Sequence, residues 1–243
     1  MNRVAVVTGA ASGVGAACAA LLVERGWTVI GLDKNLPEPG TVLTALQVDV
    51  RLPEEVDRAF ADIAARFAGI DALICSAGVL RVGPIETATV DDYDAVFDVN
   101  MRGTWLCARA ALPLLRQRAT EQEPAHIVFI SSIAVPRPKI GTGIYAASKA
   151  ALGHLTRVLA AEAAKDNILV NALAPGSMDT PMTPSAVRTA SYIPSGVPPI
   201  GRKAVPADVA RAAAMLLGSD AGFITGITIS VDGGSSAAYI PGG

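Results

Sequence analysis

Short apolar runs alternate with longer amphipathic stretches along this chain of 243 residues. The runs are apolar throughout, with no alternation of apolar and polar positions, which is typical of strands buried on both faces. Their positions predict seven strands, at residues 4–7, 28–32, 45–48, 72–75, 127–130, 169–173 and 227–231.

Helical periodicity fills most intervals between these strands. In residues 54–67, for example, Val56, Phe60 and Ile63 share one face. Helices are predicted at residues 15–25, 54–67, 90–115, 145–165 and 208–217, with a break near Asn100. The alternation predicts an α/β fold in a single domain over residues 1–243, with a doubly wound seven-stranded parallel sheet and helices on both faces. Such a fold binds its ligands beyond the carboxyl ends of the strands.

Residues 183–205 depart from this periodicity, because they contain four prolines and two glycines and few charges. A long irregular segment in a compact domain is usually a lid or a binding loop. We therefore expect a substrate loop here, suited to a compact and partly apolar substrate.

Composition and charge exclude several classes of protein. Hydrophobic residues make up 51% of the chain and the net charge is −2, without a long run of one sign, so we expect no nucleic-acid partner. No run approaches the roughly 18 apolar residues of a membrane span. The first apolar run begins at Val4, which leaves no room for a signal peptide and predicts a cytoplasmic protein. Neither His126 nor His154 has neighbours at metal-ligand spacing, so no metal site is predicted.

The sequence TGAASGVG, at residues 8–15, joins the first predicted strand to the first helix. Glycines in such a turn let main-chain N–H groups approach an anion, and the helix N-terminus adds its positive dipole end. Ser12 can donate a further hydrogen bond to a phosphate. The alternative is an ordinary turn with a packing glycine, since the spacing is not the commoner G-x-G-x-x-G.

Asp33 ends the second predicted strand, about 20 residues after the glycine loop. A carboxylate at this point accepts hydrogen bonds from ribose hydroxyls and repels a 2′-phosphate, which favours NAD over NADP. The adjacent Lys34 would soften that exclusion. The alternative is a turn aspartate that caps the residues after it.

A serine, a tyrosine and a lysine follow the fifth predicted strand. Tyr145 and Lys149 are four residues apart in a helical pattern and share a face, and Ser132 lies at the end of the strand. A free tyrosine has a pKa of about 10, and a neighbouring ammonium favours its phenolate form. A serine hydroxyl can hold an oxygen on which charge develops. These residues can transfer a proton without a metal or a histidine, although a solvated helix face is the alternative.

The chain resembles the short-chain dehydrogenase/reductase family over nearly its whole length. The resemblance rests on TGAASGVG, Asp33, and the segments DV at 49–50, SAG at 76–78, VN at 99–100, YAASK at 145–149, APG at 174–176 and ITGITISVDGG at 224–234. It implies a Rossmann fold and hydride transfer at a carbon that bears a hydroxyl or carbonyl group. It also implies that Tyr145 is the catalytic acid/base and that Lys149 lowers its pKa. Ser132 would hold the substrate oxygen, and Asn100 would bend its helix and hold a water molecule of the proton relay.

The same resemblance implies a cofactor site for NAD. Its residues would be Gly9, Ser12, Gly13, Val14, Gly15, Asp33, Asp49, Val50, Ser76, Ala77, Gly78, Tyr145, Lys149, Pro175, Gly176, Met178 and Thr180. Ser76 departs from the asparagine that the family usually has there, for which we expect a small loss of loop rigidity or cofactor affinity.

Basic residues after two strand ends suggest the substrate. Arg81 and Lys139 would face the cleft, where either could bind a carboxylate or sulfonate, together with Ser132 and Tyr145 at the reacting oxygen. The alternative is that both are solvated surface cations. The segments around them resemble the branch that includes 2,3-dihydro-2,3-dihydroxybenzoate dehydrogenase. We expect an NAD(H)-dependent enzyme that acts on a small, cyclic and anionic secondary alcohol, as a homotetramer. The alternatives are a 3-oxoacyl thioester reductase and a non-catalytic dinucleotide sensor.

Overall fold

The strands form one parallel sheet in the computed structural model, which describes residues 2–37, 40, 42–178 and 196–237. The strands are β1 (Val4–Thr8), β2 (Thr28–Asp33), β3 (Thr44–Gln47), β4 (Ala72–Cys75), β5 (Ala125–Ile130), β6 (Ile168–Pro175) and β7 (Thr228–Val231). Their order across the sheet is β3-β2-β1-β4-β5-β6-β7, and each neighbouring pair is parallel. The predicted α/β fold with seven parallel strands is confirmed.

Helices cover both faces of the sheet. They are α1 (Gly13–Glu24), α2 (Pro53–Arg66), α3 (Val90–Phe97), α4 (Thr104–Arg116), α5 (Gly143–Ala163) and α6 (Pro206–Leu216). On one face Phe60, Leu106 and Leu152 from α2, α4 and α5 share a core with the sheet. On the other face Leu22 and Val209 from α1 and α6 do the same. Within the described part of the chain, no helix combines the length and apolar character needed to cross a membrane.

The break predicted near Asn100 is a π-helical segment, Asp98–Gly103, between α3 and α4. Its last residue, Gly103, lies so close to Val50 that an added Cβ would come within 2.6 Å of the Val50 Cγ2 atom. Single π-helical turns inside α-helices are frequent at functional sites. This turn brings Asn100 inward, where the residue is fully buried.

The chain reverses its direction of travel across the sheet between β1 and β4. The strands before this point are added toward β3, and those after it are added toward β7. In open α/β sheets the crevice at such a switch point, beyond the carboxyl ends of the strands, is where ligands bind. The glycine loop follows β1 directly and lies at this crevice.

Candidate active site

A cleft of about 1410 Å³ runs along the carboxyl ends of the strands, from the glycine loop and Asp33 to Ser132 and Met178. The ends of β2 and β5 are three strand spacings apart, roughly 14 Å, so the cleft accommodates an elongated ligand. The predicted site residues that line it are Gly9, Ser12, Gly13, Val14, Asp33, Asp49, Val50, Ser76, Ala77, Gly78, Arg81, Ser132, Lys139, Tyr145, Lys149, Pro175, Gly176 and Met178.

Three other predicted site residues are not among the described residues that line the cleft. Gly15 and Asn100 support the cleft from behind and are not among its lining residues. Thr180 lies outside the described residues, as do positions 183–195 of the predicted substrate loop. The described remainder of that loop contributes Gly196, Pro198 and Lys203 to the cleft wall.

The three glycines of the loop have different structural roles. A Cβ on Gly15 would lie 2.1 Å from the carbonyl oxygen of Gly9, and a Cβ on Gly9 would lie 2.7 Å from the main-chain nitrogen of Ala77. These two glycines therefore allow close packing of the start of α1 against the glycine loop, and of that loop against the loop after β4. Gly13 has φ +56° and open space where a Cβ would be, so at this position the backbone is accessible to a ligand.

The start of α1 can bind an anion. Ser12 is the N-cap residue, but its side chain makes no capping hydrogen bond, so the hydroxyl remains able to donate to a ligand. The first turn carries no acidic side chain. Positive φ and open space at Gly13, together with the helix dipole, fit a pyrophosphate group.

Asp33 fixes a negative charge at the rim of the cleft. One carboxylate oxygen accepts a hydrogen bond from the Ala11 N–H at 3.1 Å, and the other accepts from the Asn35 N–H at 3.0 Å. The second contact is the turn interaction considered as the alternative role, so Asp33 shapes its own turn and also holds the glycine loop. Each oxygen keeps a lone pair for a further donor.

The residues after β3 form a charged pair beside Asp33. Arg51 pairs with the Asp49 carboxylate through two nitrogens, at 2.6 Å from Nη2 and 2.9 Å from Nε. This guanidinium lowers the pKa of Asp49. Arg51 thus offsets the charge of Asp49, whereas no ion pair is recorded for Asp33 among the described residues.

The loop after β4 is held mainly through its backbone. The Thr8 hydroxyl oxygen accepts hydrogen bonds from the N–H groups of Ser76 and Ala77, both at 3.2 Å. Sequence reasoning did not single out Thr8, although it stands at the head of the glycine motif. The contacts that fix this loop therefore do not depend on the side chain of Ser76, the position at which the chain departs from the family pattern.

Asn100 ties this loop to α5. Its Oδ1 atom accepts from the Val79 N–H at 2.8 Å, and its Nδ2 atom donates to the Val79 carbonyl and to the Ser148 hydroxyl, both at 3.0 Å. Ser148 in turn donates to the carbonyl of Tyr145 at 2.7 Å. Both amide hydrogens are thus used within the protein, and the predicted relay water stays a prediction.

Lys149 is buried beneath Tyr145. Its Nζ atom donates to the Ile130 carbonyl at 2.7 Å and lies 5.9 Å from the centre of the Tyr145 ring. Burial lowers the pKa of Lys149 to about 8, an effect that Cys75 partly opposes. The lysine is still mostly protonated at neutral pH, which places an ammonium beside the tyrosine.

Ser132 follows β5 and faces the same space. Its Oγ atom accepts a hydrogen bond from the Ala134 N–H at 3.1 Å, which leaves its own hydrogen for a ligand oxygen. The neighbouring Ser131 donates to the Lys149 carbonyl at 3.2 Å and holds α5 against β5. The structure therefore brings Ser132, Tyr145 and Lys149 together on one wall of the cleft.

The two cations predicted to meet the substrate differ in their surroundings. Arg81 is 54% exposed and forms an ion pair with Asp92 at 3.6 Å. Lys139 is half-buried, and burial together with the charge of Arg137 lowers its pKa. Arg137, which also lines this part of the cleft, was not predicted as a site residue.

Comparison with known proteins identifies the family. Residues 9–236 match the family described as enoyl-(acyl carrier protein) reductase. Over 97% of both chains, the protein is 35% identical to a cis-4-hydroxycyclohexanecarboxylate dehydrogenase from Sinomonas cyclohexanicum. The chain belongs to the short-chain dehydrogenase/reductase family. The predicted family and its enzyme class, oxidoreductases that act on CH–OH groups, are confirmed.

Two further relatives extend the comparison. A 3beta-hydroxysteroid dehydrogenase 1 from Eggerthella lenta is 34% identical, over 96% of this short-chain dehydrogenase/reductase and 93% of the relative. A solved 3-ketoacyl-(acyl-carrier-protein) reductase from Brucella melitensis, complexed with NADH, superimposes with a TM-score of 0.87 at 29% identity. That match covers 96% of this chain and 98% of the other.

Proposed function

We propose that this protein oxidises a small, cyclic and anionic secondary alcohol to its ketone with NAD, or catalyses the reverse reduction with NADH. The observation that carries the proposal is one continuous cleft, with an anion-accessible glycine loop and Asp33 at one end and Ser132, Tyr145 and Lys149 at the other. A bound nicotinamide ring would accept the hydride from the alcohol carbon.

The residues present fit an NAD molecule. Gly13 and Ser12 offer backbone and hydroxyl groups to the pyrophosphate, and the Asp33 carboxylate offers lone pairs to the adenosine ribose hydroxyls. The fixed charge of Asp33 repels a 2′-phosphate. Lys34 and Arg51 also line this end, but Arg51 is paired with Asp49. The Brucella relative was solved in complex with NADH, which supports a nicotinamide dinucleotide in this cleft.

The catalytic step follows from the arrangement on α5 and β5. The Ser132 hydroxyl donates to the substrate oxygen, and the Tyr145 phenolate accepts its proton as the carbonyl forms. The Lys149 ammonium stabilises the phenolate through space. Asn100 acts indirectly, because it links the loop after β4 to Ser148, which holds the carbonyl of Tyr145.

The named relatives support a ring-shaped substrate. A hydroxycyclohexanecarboxylate and a hydroxysteroid are both cyclic secondary alcohols, and the first of them is an anion. The small, cyclic and anionic secondary alcohol predicted from the sequence belongs to the same chemical class, as would a dihydrodiol, a hydroxy acid or a sugar-like substrate. Arg137 and Lys139, on the loop between β5 and α5, also line the cleft, which favours a negatively charged group on the ring.

A second candidate is the reduction of a 3-oxoacyl thioester. The Brucella relative bears this activity in its name and binds NADH, so an acidic residue at position 33 does not by itself argue against it.

Steady-state rates test the proposal and separate the two candidates. We expect cis-4-hydroxycyclohexanecarboxylate or another cyclic hydroxy acid or diol to reduce NAD with a kcat/KM above that for NADP. We expect little oxidation of NADH by acetoacetyl coenzyme A. A preference for NADP, or fast turnover of the thioester alone, would contradict the proposal.

The oligomeric state and the cellular location were predicted from the sequence. We propose a homotetramer, which is supported by the exposed apolar side chains Trp105 on α4 and Val158 on α5, 44% and 42% exposed. Light scattering after gel filtration would show a monomer if this is wrong. The cytoplasmic location stays a prediction.

A further inference from the structure

The loop between β5 and α5 carries two cations into the catalytic end of the cleft. Residues 131–142 connect Ser132 to the helix that bears Tyr145, and both Arg137 and Lys139 line the cleft. Any group held by these cations is therefore close in sequence and in space to the reacting oxygen.

Arg137 is oriented by a main-chain carbonyl group. Its Nη1 atom donates to the carbonyl of Ser235 at 3.1 Å. Among the described residues, no carboxylate lies within ion-pair distance of Arg137. Eight other arginines form ion pairs, namely Arg51, Arg81, Arg102, Arg109, Arg116, Arg118, Arg202 and Arg211. Of the two arginines on the described cleft wall near Ser132 and Tyr145, Arg81 is one of these eight and Arg137 is not.

The carbonyl that orients Arg137 belongs to a turn after β7 that is closed by side-chain hydrogen bonds. The Asp232 carboxylate accepts from the N–H groups of Gly234 at 2.9 Å and Ser236 at 2.8 Å. Ser235 is itself buried. The guanidinium, which has five N–H donors in a fixed plane, thus has one edge anchored and further donors available to a ligand.

The charges around Arg137 favour an anion. Lys139 is close enough for the charge of Arg137 to lower its pKa, so two positive groups share this part of the cleft. Among the described residues that line the cleft, the carboxylates are Asp33 and Asp49. Asp33 ends β2 and Asp49 follows β3, and both strands lie on the other side of β1 and β4 from β5. Arg81, by contrast, already has Asp92 as its partner.

We propose that Arg137, assisted by Lys139, binds the anionic group of the substrate, and that Arg81 does not. This inference rests on the proposed function, since it assigns a partner to the negative charge of the cyclic alcohol. The ligand it takes is a carboxylate or sulfonate on the ring, which a guanidinium binds through two parallel hydrogen bonds.

The test compares Arg137→Gln with the matched control Arg81→Gln on two alcohols, cis-4-hydroxycyclohexanecarboxylate and its neutral carboxamide. For Arg137→Gln we expect kcat/KM for the carboxylate to fall about tenfold to hundredfold, mainly through KM. We expect the carboxamide to change less than about threefold, and Arg81→Gln to keep the wild-type ratio between the two alcohols. Arg137→Lys keeps the charge without the planar fork and should fall between; it also serves if the glutamine variant does not fold.

A second measurement separates this inference from the proposed function. If the wild-type protein oxidises neither alcohol, the proposed function fails, and calorimetry with cyclohexanecarboxylate and cyclohexanecarboxamide in the presence of NADH still tests the anion site. Selective binding of the carboxylate that disappears in Arg137→Gln supports the inference. An unchanged preference in Arg137→Gln, an equal loss for both probes, the loss of preference in Arg81→Gln instead, or no carboxylate preference in the wild type overturns it.

Discussion

Replacing Lys149 with methionine should stabilise the protein at neutral pH in the absence of a cofactor, while abolishing its activity. Lys149 is 5% exposed, and burial lowers its pKa from 10.5 to about 8. At about 1.4 kcal/mol for each pH unit, burial of the charged ammonium destabilises the folded state by roughly 3 kcal/mol at pH 7. Methionine has a similar length and no charge, but it loses the hydrogen bond to the Ile130 carbonyl, which offsets roughly 1–1.5 kcal/mol.

The effect of Lys149→Met on the free energy of unfolding should change sign with pH. Below pH 8 both the folded and the unfolded wild-type chains hold the Lys149 proton, so the full penalty is present. Between pH 8 and 10.5 the unfolded chain holds a proton that the folded one lacks, and this group makes the wild type more stable as the pH rises. Lys149→Met should therefore be more stable than the wild type by about 2 kcal/mol at pH 7. Near pH 10.5 it should be less stable, by about 1 kcal/mol.

Urea unfolding at pH 7, 8, 9 and 10 measures this difference. Lys165→Met is the matched control, since Lys165 is an exposed residue that follows the same helix, and its effect should be small and independent of pH. If Lys149→Met destabilises the protein at pH 7, or if its effect does not change with pH, the argument that Lys149 is a buried, strained ammonium is wrong.

Three further substitutions test other contacts. Asp33→Asn keeps an acceptor for the glycine loop but removes the charge, so the kcat/KM ratio of NADP to NAD should rise about tenfold or more; an unchanged ratio would contradict the role of Asp33. Gly15→Ala drives a Cβ into the Gly9 carbonyl and should destabilise the protein by roughly 3 kcal/mol or more in urea, whereas Gly13→Ala should lose only about 1–2 kcal/mol; equal effects would count against the packing argument. Asn100→Ala leaves buried partners unpaired and should lose about 2–4 kcal/mol, and a loss under 1 kcal/mol would show that these contacts are weak.

Local patterns were enough to predict the fold and the break in the third predicted helix. The five inner strands are mostly apolar runs that are buried along most of their length, so their sequence signal is continuous and independent of distant residues. The prediction of burial on both faces is wrong for the edge strands β3 and β7, whose residues alternate between exposed and half-buried because each has a neighbouring strand on one side only. Asn100 interrupts a helical pattern, and the structure accommodates it as a π-helical turn. Because such patterns are local, they can be interpreted without knowledge of tertiary contacts.

Contacts between distant segments were not predictable in the same way. The glycine motif indicated an anion site, but it did not reveal that Gly9 and Gly15 are required by close packing against Ala77 and within the loop itself. Those contacts depend on how the ends of β1 and β4 meet.

The difference between the two arginines near Ser132 also needed the structure. Arg81, Arg137 and Lys139 all follow strand ends in the sequence, and nothing local separates them. Arg81 finds Asp92, whereas Arg137 is oriented by Ser235, almost a hundred residues later in the chain. Only the folded arrangement shows which of the two arginines keeps its charge available.

The central claim is that the cleft oxidises a secondary alcohol with NAD through Tyr145. The most direct measurement compares wild type with Tyr145→Phe on the best substrate of a panel of cyclic alcohols, with NADH affinity determined separately. We expect the turnover of Tyr145→Phe to fall by about a hundredfold to ten-thousandfold, with NADH affinity within about twofold of the wild type. Turnover within tenfold of the wild type, or a wild-type protein that binds NADH but oxidises no alcohol in the panel, would contradict the account.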